Sequence, residues 1–410
     1  MGQRAGWPIF ALVCNVIVCT PVSAGDWQVN SSVSETVEAN DNPQLLPDSP
    51  GGAVGSLTTF SLDAINESPT LRLGFGTDLT LRAFTGPGAL DSDDGLQGDV
   101  RGSLEKTTKL TKYDLAAFWQ RAPASVSELT DSGILAADTI RDTYFANVGL
   151  LHQLNDLNAL GWSVSGTSVT FTDEDEGLSP YNDISMSESW VRTISPTAQM
   201  TAALGTQWYQ SDNVVDTESL VQRATLQLDR QLTSRMKIMG RAGGGVAFTD
   251  QDYWLGVDRI ETSDTSGLFI GAAELAYELK NTVVAASASH DFAPSSLGEM
   301  QERTSVGVSI DHKINERSGI LLNGQFFHQH PGVDNLDEEE RRQALILAVS
   351  YSRNVMRDWD MILTYRFVEQ QEEADLFVPF QDGSATSNAV FVTLNRELYL
   401  FARAGQTGAP

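Results

Sequence analysis

From Trp27 to Phe401 the apolar residues recur at every second position rather than every third or fourth. Leu71, Leu73, Phe75, Thr77, Leu79 and Leu81 alternate with Arg72, Gly74, Gly76, Asp78, Thr80 and Arg82. Met200, Ala202, Leu204, Thr206 and Trp208 alternate with Thr201, Ala203, Gly205 and Gln207. Trp359, Met361, Leu363, Tyr365 and Phe367 alternate with residues that include Asp360, Thr364 and Arg366. Period two sends successive side chains to opposite faces of a strand, so the chain must build a sheet with one apolar and one polar face. No stretch approaches eighteen consecutive apolar residues, which excludes helical membrane spans. A membrane strand needs only about ten residues per crossing, and its alternation has this form.

About eighteen such segments are present, beginning near Trp27, Ser56, Leu71, Val100, Tyr113, Thr143, Leu160, Asp183, Gln199 and Leu220, then Met236, Gly267, Val283, Thr304, Gly319, Gln343, Trp359 and Ala389. The gaps between them alternate in length. Short gaps carry turn residues, as in Glu67-Ser68-Pro69, Asn155-Asp156-Leu157-Asn158, Thr233-Ser234-Arg235 and Lys280-Asn281. Long gaps run from Ala39 to Gly55, Thr85 to Asp99, Ala122 to Asp142, Thr249 to Thr265 and Glu369 to Ser387. Tight turns at one end and long loops at the other are how outer-membrane barrels are built, whereas a soluble sandwich has no reason to sort its loops by length. The expected fold is all-β, a single transmembrane up-and-down antiparallel barrel of about eighteen strands, with sixteen the alternative count.

Charge sorts with loop length. The long gaps are strongly acidic, as in Asp173-Glu174-Asp175-Glu176 and Asp337-Glu338-Glu339-Glu340, and their bases are limited to Arg141, Arg259, Arg303, Arg341 and Arg342. The short-turn end carries Lys109, Lys112, Arg235, Lys237, Lys280, Lys313, Arg317, Arg353 and Arg357. The formal net charge of −27 makes nucleic acid an unsuitable partner. An acidic crown facing the cell exterior is expected, able to meet outer-membrane lipid and lipopolysaccharide through divalent cations. Aromatics near strand ends suggest two interfacial girdles: Tyr113, Trp190, Tyr277, Tyr351, Trp359 and Tyr399 by the short turns, and Trp119, Tyr144, Trp208, Phe248, Phe292 and Phe367 by the long loops.

The first residues read as an export signal. Arg4 precedes the apolar run Ile9 to Cys19, and Val22 and Ala24 are small residues at the −3 and −1 positions of a cut after Ala24. The run is about half the length a membrane-spanning helix needs. A lipoprotein signal around Cys14 or Cys19 is the lesser alternative. The expected organisation is a signal peptide over 1–24, a barrel over 25–401 and a tail over 402–410. Both cysteines fall in the signal, leaving a cysteine-free exported chain.

The polar face of the strands holds Arg72, Asp78, Arg82, Arg101, Glu105, Asp114, Arg223, Asp229, Lys237, Arg241, Glu274, Glu278, Asp311 and Arg366 as candidate pore-lining residues. Mixed charge fits a hydrated channel, and fits equally a lumen plugged by salt bridges. No catalytic constellation emerges. Ser289 and His290 are adjacent in a strand and point to opposite faces, so they cannot act as nucleophile and base. His328 and His330 share a face but lack a third ligand. Asp91 to Gly95 lacks calcium-loop spacing, and no helix follows Gly243-Gly244-Gly245 as a phosphate loop requires. The function classes left are a pore, a surface anchor or adhesin, and, least favoured, an enzyme; no cofactor and no metal site is expected. Glu188 and Arg396 break the apolar alternation of their strands, as a register error would.

The segment Glu38-Ala39-Asn40-Asp41-Asn42-Pro43, the stretch Glu128 to Gly133 and the strand-rich block Thr143 to Tyr209 resemble the β-barrel porin 2 family of proteobacterial outer-membrane proteins. The resemblance spans nearly all of the chain after the signal. It implies a transport barrel, inserted by the barrel-assembly machinery, that could accompany polysaccharide-export components, and it implies no catalytic residues. One departure is the tail, Ala402 to Pro410, which follows the aromatic end of the last strand where an assembly signal usually ends the chain.

Overall fold

The computed structural model describes residues 26–398 apart from 127–137, 173–177, 213–214, 256–257, 332–340 and 374–382. The signal, the tail, Tyr399, the stretch Glu128 to Gly133 and the acidic runs at 173–176 and 337–340 lie outside the described residues.

Eighteen antiparallel strands follow the chain: β1 (Asp26–Asn40), β2 (Ala53–Glu67), β3 (Leu71–Thr85), β4 (Gly95–Thr107), β5 (Thr111–Pro123), β6 (Ile140–Asn155), β7 (Asn158–Phe171), β8 (Tyr181–Ser195) and β9 (Ala198–Ser211). The second half continues as β10 (Val215–Thr233), β11 (Met236–Leu255), β12 (Asp258–Glu278), β13 (Thr282–Pro294), β14 (Met300–Asn315), β15 (Ser318–Pro331), β16 (Arg341–Met356), β17 (Trp359–Glu373) and β18 (Gly383–Leu398). Each strand pairs with its sequence neighbours, and β1 pairs with β18 from Ser31↔Leu398 to Asn40↔Ala389, closing the sheet. Every segment start read from the sequence falls within its own strand. No helix among the described residues is long and apolar enough to cross a membrane.

The eight short turns are built locally. Asn155 Oδ1 accepts the backbone N–H groups of Leu157 and Asn158, both at 3.0 Å, and Ser68 caps its own turn through the N–H and carbonyl of Leu71. One expectation is corrected. Thr249 to Thr265 is not a loop, because β11 and β12 stay paired up to Leu255↔Asp258. The polar run Thr249-Asp250-Gln251-Asp252 hid the strand, since a hairpin standing clear of the membrane needs no apolar face.

Register separates the two faces. Leu81 and Leu96 oppose one another, as do Leu204 and Ala224, and Leu363 and Val392. Leu96, Leu204 and Phe269 are more than 60% exposed, so these apolar side chains point outward. The other face carries contacts between strands that are not neighbours, such as Arg223 of β10 with Asp291 of β13, which only an enclosed interior permits. Glu188 opposes Trp162 and Leu204, and Arg396 opposes Val33 and Trp359. Both are true outer-face residues, and the register around them is regular. Arg396 lies 5.4 Å over the Trp359 ring, which gives the cation a partner without water.

Tyr113, Trp119, Tyr144, Trp190, Trp208, Phe248, Tyr277, Tyr351, Trp359 and Phe367 share the outward register. At the loop end the indole N–H groups reach carboxylates on the same face, Trp119 to Asp142 at 3.1 Å and Trp208 to Glu218 at 2.8 Å. An amphipathic ring with its polar edge tied down is what a membrane boundary favours. Phe292 is the exception. It is 4% exposed and lies inside the barrel, for a reason given below.

Candidate functional site: a constricted lumen

Three groups of side chains narrow the interior between the loop end and mid-barrel. The first stands on β1, β3 and β17. Glu38 of β1 lies 3.8 Å from Arg366, and Arg82 of β3 lies 3.7 Å from Asp93 and donates to Gln97 at 3.4 Å. Asp93 comes from the loop after β3, where a short 3-10 turn at Asp91–Asp93 folds inward. Ser125 donates to Asp93 at 3.1 Å, and the N–H of Ser92 donates to Asp138 at 2.7 Å, so this loop is tied to the next one. Burial pushes the Asp93 carboxyl above the usual carboxylate range, against the pull of Arg82.

The Glu38–Pro43 segment sets the loop beside it. Asn40 Oδ1 accepts from Asn42 N–H and from Ser387 Oγ, while Asn42 Nδ2 donates to the carbonyls of Leu46 and Thr386. These bonds turn the loop back over β18 and press Leu45 onto the inward-facing Ile346, Val368 and Ala385. Leu45 takes φ +51°, a conformation that costs a branched side chain and is offset here by burial.

The second group lies on β10 to β14. Asp291 is held by Arg241 at 3.3 Å and Arg223 at 3.8 Å, and Arg303 lies directly opposite it in the ladder. The third is a carboxylate cluster on β2 to β4. Arg101 donates to Asp78 at 2.7 Å, Asp99 at 2.8 Å and Asp63 at 3.0 Å. Gly76 lies between Asp63 and Arg101 in the register, and a Cβ there would strike both side chains. That glycine makes room for an ion cluster and does not widen the pore.

All fourteen residues proposed from the sequence occupy the inward register. The structure joins Arg101 to Asp78, gathers Arg82 and Arg366 about Glu38, and sets Arg223 and Arg241 on Asp291. Arg72 opposes Glu105, which pairs with Lys112 at 3.0 Å, and Asp114 accepts from Asn147. Asp229, Lys237 and Glu274 line a wider cavity of about 780 Å³ along the short-turn half of the lumen. Glu278 and Asp311 each oppose Val283 near that end, away from the ion pairs above. The sequence reading missed Glu38, Asp63, Asp93, Asp99 and Asp291. Glu38 and Asp63 stand in phase with the polar face and were legible; Asp93 sits in a loop without period.

The constriction is completed by a hairpin tip. The β12–β13 ladder ends at Gly271↔His290, yet β13 continues to Pro294, paired with β14 as far as Pro294↔Met300. Above His290 the pair parts from β12 and its tip bends inward, while β14 stays paired with β15 as far as Gln301↔Pro331. Phe292 and Met300 then join Tyr209, Val221, Ala247 and Leu268 in a buried apolar cluster on the inner face of β9 to β12. Tyr209 Oη donates to the carbonyl of Ser295 at 3.0 Å, and Ser179 N–H donates to the carbonyl of Ser296 at 2.6 Å. Alternation assigns Phe292 to the outer girdle, and only this departure from the wall turns it inward.

The remaining constellations behave as adjacency dictates. Ser289 bonds Ser305 on the inner face and His290 bonds Thr304 on the outer one. His330 pairs with Glu302 at 3.0 Å on that outer face. Among the described residues no three acidic, histidine or cysteine side chains gather as a metal site would need.

A closed antiparallel barrel with an apolar outer band and a charged interior is a transmembrane barrel of the outer-membrane class. Among solved structures it is similar to a BenF-like porin from Pseudomonas fluorescens Pf-5, at 10% identity and a TM-score of 0.49, covering 91% of this chain and 99% of that one. It is also similar to OccAB3 of Acinetobacter baumannii, at 8% identity and a TM-score of 0.45, covering 91% and 100%. OccK2 (OpdF) of Pseudomonas aeruginosa, in complex with glucuronate, matches at 11% identity and a TM-score of 0.45, covering 91% and 98%. No family model matches the chain, and no curated protein matches it. The resemblance to the β-barrel porin 2 family therefore stays a resemblance.

Proposed function

We infer that the barrel is a channel for small polar solutes, with its selectivity set at the ring of Glu38, Arg82, Arg366, Arg223, Arg241 and Asp291. The observation that carries this is the state of the arginines. Arg223, Arg241 and Arg366 lie 3.8, 3.3 and 3.8 Å from their carboxylate partners and keep 28%, 33% and 40% of their side-chain surface exposed on the inward face. Guanidinium groups this exposed, in ion pairs this long, stay within reach of water or a passing solute, as a tightly packed salt-bridged plug would not allow. Charges of both signs in a narrow aqueous path focus the field on whatever crosses it. Nothing among the described residues supports a polysaccharide-sized passage, since loops enter the mouth from two sides. Contact of the acidic loops with lipopolysaccharide through divalent cations, and insertion by the barrel-assembly machinery, belong to the same reading.

In a planar bilayer the purified protein is expected to conduct with a weak cation preference. Replacing Arg82, Arg241 and Arg366 together by Gln should move the reversal potential further toward the cation. A protein that never conducts, and whose arginine variants change only in stability, is a barrel with a filled lumen, and the surface-anchor reading replaces this one.

A further inference from the structure

The inward hairpin tip leaves an unmatched edge behind it. Above Gly271, β12 runs on through Ile270, Phe269, Leu268 and Gly267 with β11 on one side and no ladder partner on the other among the described residues. A strand edge of this kind is a template for pairing. The strand that left it is still attached at Gly271↔His290, so continuing that register sets Ile270 against Asp291, Phe269 against Phe292, and Gly267 against Pro294.

We propose that the tip of β13–β14 is a two-position gate, inserted in the lumen in one state and zipped onto β12 as part of the wall in the other. This rests on the channel reading above. Each position has its own partners. Inserted, the tip is held by Tyr209, by Ser179 and by burial of Phe292 and Met300. Zipped, it gains ladder bonds to β12, and Phe292 returns to the outer face beside Phe269, which is 63% exposed there. The alternation of β13 fits the second position and the packing fits the first, so one sequence serves both. Asp291 is the first residue past the parting from β12, and its bonds to Arg223 and Arg241 hold the inserted position, while β14 keeps its ladder to β15 as the pivot. Two packed arrangements joined at a short hinge give a bistable element.

The test uses paired cysteines in full-length protein with Cys14→Ser and Cys19→Ser. Ser179→Cys with Ser296→Cys should crosslink in the inserted position. Phe269→Cys with Phe292→Cys lie on opposite sides of the wall in that position and should crosslink only when the tip zips. Gly267→Cys with Pro294→Cys repeats the second measurement with Phe292 intact, at a glycine with open space around it. Wild-type channels should show two conductance levels. Oxidised S179C/S296C should keep only the lower one and recover both in reductant, while the oxidised zipped pairs should keep the higher one. The proposal is overturned if neither zipped pair crosslinks in folded protein, or if oxidised S179C/S296C retains both levels. The crosslinks report position whether or not the barrel conducts. Both crosslinks with a silent bilayer would therefore overturn the channel reading and leave the movement standing.

Discussion

At the scale of single residues, two neighbours in one strand meet different solvents. Leu204 and Leu363 face lipid, while Gly205 and Thr364 face the interior, where Thr364 bonds Ser350 at 2.9 Å. Leu204→Arg or Leu363→Arg should cost about 2–4 kcal/mol near the bilayer midplane, because a cation there loses its hydration. Gly205→Arg and Thr364→Arg should cost less than their neighbours, since water is within reach; at Gly205 the flexible Arg223 side chain must shift. Reversible unfolding from lipid vesicles measures the difference, and equal costs at adjacent positions would reverse the face assignment. The faces were legible in the sequence because period two is a local property of the chain. Glu188 and Arg396 looked like faults there, for alternation carries no information about what an outer-face charge can borrow from its neighbours. Arg396 borrows the Trp359 ring, a partner on the next strand that no spacing within β18 could reveal.

At the scale of elements, the sorting of loops by length predicts sidedness. Cysteines placed singly at Asp48 or Asp212, both on the loop side, should react with an impermeant thiol reagent on intact cells. Cysteines at Ser68, Asp156 or Glu316, in the short turns, should stay unlabelled until the membrane is opened. The reverse pattern would mean that the barrel is inserted the other way up. Strand count and turn positions could be read in advance, since turns need Asn, Ser, Gly or Pro at fixed places. The constriction could not. Phe292 is in phase with a lipid-facing strand, and what turns it inward is the end of a ladder with β12, a fact of pairing between segments and not of either segment alone. The same holds for Asp93, whose place beside Arg82 depends on the fold of a loop. The long β11–β12 hairpin was misread for a related reason: outside the membrane a strand loses the apolar face by which it is recognised.

At the scale of the whole molecule, everything depends on the seam between β1 and β18. Thr36 and Thr393 face each other across it with their hydroxyls 2.8 Å apart. In protein with Cys14→Ser and Cys19→Ser, Thr36→Cys with Thr393→Cys should form a disulfide only in the closed barrel. The product should be a covalent ring with altered mobility on a denaturing gel and slower unfolding. Crosslinking in denaturant, or none in the folded protein, would contradict the register at the seam. An eighteen-strand count with both described ends at the short-turn side agrees with this seam, because an even number of hairpin-linked strands returns the chain to the end of the barrel where it began.

That seam also fixes an order of events. Ser31 and Leu398 are partners at almost the full length of the described chain apart, so the contact that removes the last open edge is the one with the largest loop to close. Until β18 is made, the edge of β1 that faces away from β2 has nothing to pair with. Every shorter intermediate carries two strands with free backbone groups, and in lipid such groups are too costly to leave bare. Growth by successive hairpins cannot relieve this, because each added hairpin moves the open edge along without abolishing it. The chain must therefore be sheltered at both edges, or kept out of the bilayer, for the whole of its synthesis. A truncation that removes β18 is expected to yield no smaller barrel, only a sheet seeking another edge.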